Sequence, residues 1–495
     1  MQTPRFAPPL LLATALLGLG AAARAQQPSQ EMAQVVAAYA AKITASARFV
    51  SNRTMASVRA QELQPATALE KLVMPLLKVE VDEETRQVTC KVGAASATAI
   101  YREGLGCVLL HEQVDIEDLQ AMRPANIAMP SAEQAWPLGE QLDDSSRAKT
   151  GIASDQVQAA LDRAFAEAHD NRSVHTRAIV VLHKGELVAE RYAEGFDRDM
   201  PLPGWSMSKT LTAALCGLRA GDGEFDADSQ PRVPGWGGGP RSARRGRPDP
   251  RGRIRNGHLL TMTAGLRWNE SYEDPNSDVL RMLFASADHA AAYARQPSAT
   301  PPGDRFAYAS GATNLLCRVL RSGYDEDEEY WALPHRLFAA LGMRTATLET
   351  DPIGTFVGSS YGYASARDWA RLGMLYCNGG TFAGQRILSE EWLQSSTTPH
   401  DASNGQYGYQ LWLNRDPDGK DGEAQPSWPE LPEDLMRMDG HEGQYVVMSP
   451  AAELVIVRLG CTKQGGFDIR GLVRDIHTAA GVQTAKELVP AGGGR

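Results

Sequence analysis

The sequence predicts an α+β fold: an antiparallel sheet flanked by helices, with a helical subdomain, preceded by a small N-terminal α+β region. Three observations predict it. Apolar runs at 178–182 and 187–192 flank Lys184-Gly185, the signal of a short hairpin turn. A second pair of runs, 444–448 and 454–459, flanks Ser449-Pro450 near the other end of the same domain. Between them the patterns are mostly helical. Hairpins at opposite ends of one domain predict a single antiparallel sheet that unites both ends, with helices covering its faces.

The chain begins with a leader-like segment. Arg5 supplies a positive charge, residues 6–22 are apolar but broken by Pro8 and Pro9, and Ala23-Arg24-Ala25 is a small-x-small cleavage site. Residues 1–25 are therefore read as a signal peptide, and the mature protein as exported, periplasmic or secreted, with no membrane anchor. A spanning helix would need about 20 unbroken apolar residues. The remainder has ordinary globular composition, 43% hydrophobic and 22% charged, and six cysteines are too few for a disulfide scaffold. A net charge of −10 argues against a general nucleic-acid binder.

Residues 26–150 form an N-terminal region and linker with no visible chemistry. A helix is predicted over 32–47, strands over 77–81 and 88–92 around Asp82-Glu83-Glu84, and one more strand within 99–110. Cys90 and Cys107 either pair or stand as two buried thiols. A Pro-rich, polar connector follows from 122 to 149. The main domain runs over 151–485, opening with an amphipathic helix at 155–168. Residues 236–255 are rich in Gly and Arg and read as a surface loop, or else as a patch for an anionic partner. A short helix is predicted over 254–266. Residues 271–283 are acidic and then helical, and a further helix spans 313–320. Residues 486–495 read as a flexible tail.

The chemistry centres on Gly204-Trp205-Ser206-Met207-Ser208-Lys209-Thr210. Ser-x-x-Lys at the start of an apolar helix places both side chains on one face. A serine hydroxyl needs a neighbouring base, and a lysine kept dry can lose its proton and act as one. Free backbone N–H groups at the helix start can hold an oxyanion. Two later stretches join it: Phe306-Ala307-Tyr308-Ala309-Ser310-Gly311, ahead of a helix, and Asp439-Gly440-His441-Glu442-Gly443-Gln444, at a Gly-rich entry to a strand. A rival run, Gly358-x-Ser360-x-Gly362, fits a nucleophile elbow but lacks the preceding strand and following helix. No metal constellation, P-loop or dinucleotide fingerprint stands out, so no cofactor is expected.

Ser-x-x-Lys, then Tyr-x-Ser about a hundred residues on, then His-x-Gly, resembles the serine β-lactamase and penicillin-binding enzyme superfamily. Within it the chain is most similar to the class C β-lactamase-related hydrolases, including carboxylesterases and 6-aminohexanoate-dimer hydrolases. The resemblance covers about residues 155–480 and implies a β-lactamase/transpeptidase-like fold. It implies Ser206 as nucleophile, Lys209 as base, and Tyr308 as acid or base with its phenol pKa lowered by the ammonium. It further implies an oxyanion hole from the N–H groups of Ser206 and Gln444, and substrate contacts from His441, Gly443 and Ser310. The expected reaction is cleavage of a small-molecule ester or amide through an acyl-enzyme. β-Lactamase or D-alanyl carboxypeptidase activity, and a non-catalytic sensor, are the alternatives. Three departures bear on substrate: Ser310 stands where the superfamily carries Asn, His441 where it carries Lys, and Glu442 where it carries Thr.

Overall fold

The computed structural model describes residues 30–482 apart from 66–70, 72, 171–173, 235, 237–248, 416–425 and 464–465. The leader, most of the Arg/Gly stretch and the 486–495 tail lie outside the described residues.

The N-terminal region opens with α1 (Gln30–Phe49) and α2 (Met55–Ala60), the latter capped by the Thr54 side chain. Strands β1 (Leu77–Asp82), β2 (Gln87–Val92), β3 (Ala95–Arg102) and β4 (Gly106–Leu109) form an antiparallel sheet in that order. The single strand expected over 99–110 is thus two strands. Gly104 and Gly106, at φ 76° and 63°, turn the chain between them. Cys90 on β2 and Cys107 on β4 are both free, with β3 running between them. Two strand spacings, about 9–10 Å, exceed the reach of a disulfide.

Helix α1 is small-residue-rich because it is buried on two sides. Ala40, Ala41, Ala45 and Ala47 pack on the sheet at Val88, Cys90, Ala99 and Cys107. Its other side, at Val35 and Ala38, meets Val279, Met282, Leu283 and Phe284 of the main domain. Charge reinforces that seam. Lys42, 1% exposed, pairs with fully buried Glu349, which also accepts from Ser46 Oγ (2.9 Å) and the Cys107 N–H (2.6 Å). Glu62 pairs with both Arg53 and Arg177.

Helix α3 (Ile116–Ala121) precedes the connector, which ends in α4 (Asp144–Lys149). It is stapled down rather than free. Trp136 Nε1 donates to Gly185 O (2.8 Å), Arg371 donates to the carbonyls of Pro137 and Gly139, and Glu140 pairs with Arg367 and Arg371.

The main domain then runs through α5 (Ser154–Asp170), β5 (Val174–His183), β6 (Glu186–Tyr192), β7 (Leu202–Pro203) and α6 (Ser208–Gly221). A helical stretch follows with α7 (Asn256–Leu260), α8 (Asp278–Ala285), α9 (His289–Ala294), α10 (Ser310–Arg321) and α11 (Asp327–Leu341). The helix expected over 254–266 stops at α7, since Met262 turns to φ 57°. The chain closes through β8 (Thr347–Leu348), β9 (Gly362–Ala364), α12 (Ala366–Cys377), β10 (Thr381–Phe382), β11 (Gln385–Arg386) and α13 (Glu390–Thr397). After these come β12 (Trp412–Leu413), β13 (Met436–Gly440), β14 (Gln444–Ser449), β15 (Leu454–Thr462) and α14 (Ile469–Ala479).

The expected uniting sheet is present, in the order β12-β13-β14-β15-β5-β6. Strand β15 pairs β5 antiparallel from Leu454↔His183 to Thr462↔Val174. Alternate residues of β5 serve two cores: Ile179 and Val181 face α5 and α14, while Val180 and Leu182 face α12. Both hairpins of the sequence reading pair as expected. Strand β13 was not foreseen. It lies beyond β14, and beside its last residue runs the chain just before α6: a Cβ on Gly440 would lie 2.2 Å from Gly204 O. Among the described residues, no helix is long and apolar enough to cross a membrane.

Candidate active site

Ser206 sits in a single 3-10 turn, Trp205–Met207, that feeds directly into α6. The turn is strained. Trp205 holds φ 49°, a left-handed conformation that bulky residues rarely adopt, and such outliers persist only where surrounding packing enforces them. Gly204 is pinned by its N–H to Gly362 O (2.8 Å), and a Cβ there would strike the Trp369 ring. The strain leaves Ser206 half-buried while Trp205, Met207, Ser208 and Lys209 are buried.

Lys209 Nζ lies 3.0 Å from each of Ser206 Oγ, Ser310 Oγ and Ser359 O. Burial pushes its pKa down to about 8, with the Glu270 charge opposing. Glu270 is joined to the cluster through Ser310, whose N–H and hydroxyl both donate to it, and through Trp268 Nε1. Tyr308 stacks on Trp412 and meets Tyr407 edge-on, with its ring face 4.7 Å from Lys209 Nζ. Its hydroxyl interacts with the Ser206 side chain, yet burial drives the phenol pKa well above its usual range. The lowering expected from the sequence is therefore corrected: the neighbouring lysine is itself a depressed base, and desolvation dominates.

The structure brings Ser206, Lys209, Tyr308 and Ser310 together. It places Ser310 differently from the expected substrate contact. Ser310 opens α10, is fully buried, and turns inward to link Lys209 with Glu270.

The third stretch is also placed differently. Residues 441–443 form a turn that enters β14 at Gln444, as expected, but the turn leaves from a further strand, β13. Gln444, 1% exposed, lies on β14. Its amide side chain exchanges two bonds with Gly460 (2.8 and 2.9 Å) and donates to His441 O and Glu442 O. A residue so enclosed braces the turn with its side chain, and its backbone stands opposite Gly440 of β13. Gly443, at φ 81°, fits because a Cβ would strike Arg458 Nη1, which donates to its carbonyl. His441 is the exposed member. Its ring stacks on Tyr272 (4.5 Å, 17°) and meets Trp205 edge-on (5.3 Å). Glu442 turns away from the mouth and pairs with Lys463 (2.5 Å). Burial raises its pKa, but the Lys463 ammonium prevails and holds the carboxyl at about 2.

Sequence reasoning missed Trp268, Glu270 and Tyr272. They sit on an irregular acidic loop capped at Ser277, where no periodicity marks them. The rival Ser360 is 1% exposed and bonded to Ser359 Oγ within a turn, so it is not a reachable nucleophile.

A half-open serine one turn ahead of a desolvated lysine, under a sheet covered by helices on both faces, defines a serine hydrolase of the Ser–Lys class. The Beta-lactamase family model matches residues 161–477, and the chain belongs to that family. It is 28% identical over 243 residues to a 6-aminohexanoate-dimer hydrolase of Paenarthrobacter ureafaciens, covering 44% of this chain and 56% of that protein. The chain thus spans little more than half the length of this curated relative. Among solved structures, a Bacteroides dorei protein described as a β-lactamase aligns at TM-score 0.50 and 19% identity, over 65% of this chain and 98% of its own. EstCE1, described as a hydrolase with promiscuous acyltransferase activity, aligns at TM-score 0.50 and 15% identity, over 66% and 99%. These likenesses concern the fold.

Proposed function

We propose that this protein cleaves a carboxylic ester or small amide through an acyl-enzyme on Ser206. One observation carries the reading: the bonding of Lys209. A neutral amine has two N–H donors and one lone pair. Ser310 Oγ, which spends its own proton on Glu270, and Ser359 O accept the two N–H groups. The lone pair is left directed at Ser206 Oγ, 3.0 Å away. Lys209 then takes the hydroxyl proton as Ser206 attacks the substrate carbonyl.

The tetrahedral oxyanion needs two N–H donors. Ser206 supplies one. We assign the second to His441 rather than Gln444. The Gly440 carbonyl accepts from the Gly443 N–H inside the hairpin (3.2 Å), and backbone groups alternate in direction along a strand. The His441 N–H therefore points away from β14, toward the side on which Gly204 approaches Gly440. Tyr308, kept protonated by burial, passes its proton to the leaving group and takes up the one Lys209 received, so that both end the step neutral. Water then releases the acyl group by the same steps in reverse.

The aromatic mouth of Trp205, Tyr272 and His441 suits an apolar acyl or aryl group. The 6-aminohexanoate-dimer hydrolase likeness adds small linear amides to the candidate substrates. Export is inferred from residues 1–25 and is checked by N-terminal sequencing of the mature protein.

A fluorophosphonate probe tests the nucleophile. Peptide mass spectrometry is expected to find the adduct on Ser206, with turnover of p-nitrophenyl acetate abolished in proportion. An adduct elsewhere, or no adduct and no turnover, overturns the assignment and favours a sensor that has kept the fold.

A further inference from the structure

We propose that the N-terminal region is a built-in part of the active site, and that Tyr39 on α1 is a positioning residue for the 440–444 turn. The inference rests on the hydrolase reading above. Nothing in the family match covers α1, which lies before residue 161.

The turn carries an internal problem. Glu442 adopts φ 62°, the left-handed region, which is unfavourable for a residue with a β-carbon. Its neighbour Gly443 is left-handed as well. Gly holds that conformation freely and Glu does not, and the Glu442 side chain is held at both carboxylate oxygens. The holding groups are visible. One carboxylate oxygen pairs with Lys463 Nζ at 2.5 Å, and the other accepts from Cys461 Sγ at 3.3 Å. Lys463 in turn donates to Tyr39 Oη at 3.3 Å. Tyr39 is itself fixed edge-on against Phe284 of α8 at 5.4 Å. A small recess lined by Tyr39, Ile43 and Ala47 of α1 is closed on its far side by Pro203, Trp205 and Glu442. Helix α1 is therefore the back wall of both the nucleophile turn and the third-motif turn.

The tether acts on the amide that faces the substrate. Fixing the Glu442 side chain fixes the peptide on either side of it. The carbonyl of Glu442 accepts from the Thr462 N–H (2.9 Å), and that of His441 from Gln444 Nε2 (3.1 Å). With those carbonyls turned inward, the His441 N–H and ring keep their places beside Gly204 and Trp205. Releasing the tether lets Glu442 relax toward negative φ, and the turn swings. The loss falls on the transition state, where donor placement counts most, and less on ground-state binding.

Three variants of the full chain test this. Tyr39→Phe removes only the hydroxyl. It is expected to lower kcat for p-nitrophenyl acetate roughly three- to tenfold, with KM within about twofold. Lys463→Met removes the ammonium that holds Glu442 and is expected to lower kcat roughly ten- to a hundredfold. Adding Glu442→Asn to Lys463→Met supplies a residue that tolerates the left-handed region. It is expected to bring kcat back to within about threefold of the parent. If wild type labels at Ser206 and both single variants keep kcat within about twofold, the tether is overturned while the hydrolase reading stands. A double variant that stays as slow as Lys463→Met overturns the strain argument and with it the positioning role. A wild type that neither labels nor turns over removes the hydrolase reading and this inference together.

Discussion

The nucleophile segment and the 440–444 turn face each other across one mouth, and they are built in opposite ways. Ser206 and Lys209 are brought together by three residues of local helical geometry. Their dryness comes from packing, but their meeting does not. The turn has no such local logic. Its shape depends on Gln444 bonding across to Gly460, on Arg458 reaching Gly443, and on Lys463 joining Glu442 to α1. Chemistry that must keep a fixed partner is written over one helical turn. Geometry that must be adjusted to a substrate is held by long-range contacts.

Three measurements sharpen that contrast, beginning with the largest effect. Ser206→Ala and Lys209→Ala break the local half. Each is expected to lower kcat at least about a thousandfold, and the double variant to be no slower than the worse single, because the pair acts as one unit. Multiplying losses in the double would mean that the two residues work independently.

The second measurement probes the long-range half. Arg437 is matched by Asp439 and Lys463 by Glu442, while His441 is the exposed group of the turn. A β-lactam carboxylate needs a free cation here, and a charge-assisted hydrogen bond contributes about 1.5–3 kcal/mol. The ratio kcat/KM for p-nitrophenyl acetate is expected to exceed that for nitrocefin by about a hundredfold. Equal efficiency on the two would show that the turn serves carboxylate substrates after all.

The smallest effect separates Lys209 from its surroundings. The proposed mechanism requires neutral Lys209, so the rate is expected to rise with pH through about 8. The Glu270 charge raises that pKa. Removing it in Glu270→Gln therefore moves the acidic limb to lower pH, while the plateau falls about tenfold through loss of the Ser310 link. A limb that stays in place would exclude Glu270 from the lysine's surroundings.

The same division explains what could be read before the structure. Both hairpins, the uniting sheet and the Ser–Lys pair rest on period, turn residues and short spacing, and all three are found. Strand β13 escaped notice because Met436–Gly440 mixes apolar, basic and acidic residues beside an irregular stretch. Without β13 the hairpin turn ahead of Gln444 is not legible, and the donor is expected at Gln444. Ser310 looked like a substrate contact because nothing nearby announces Glu270, forty residues upstream. The N-terminal region looked idle because Tyr39 and Lys463 are separated by most of the chain.

The pairing of β5 with β15 also sets when the protein can work. These central strands come from opposite ends of the domain, with Ser206 and Lys209 between them. During synthesis the reactive pair leaves the ribosome long before the strand that completes its sheet. Contacts of such sequence separation form late and slowly. An unfinished chain thus carries the Ser206–Lys209 pair without the completed sheet or the 440–444 turn. The site is complete only once β15 has joined β5.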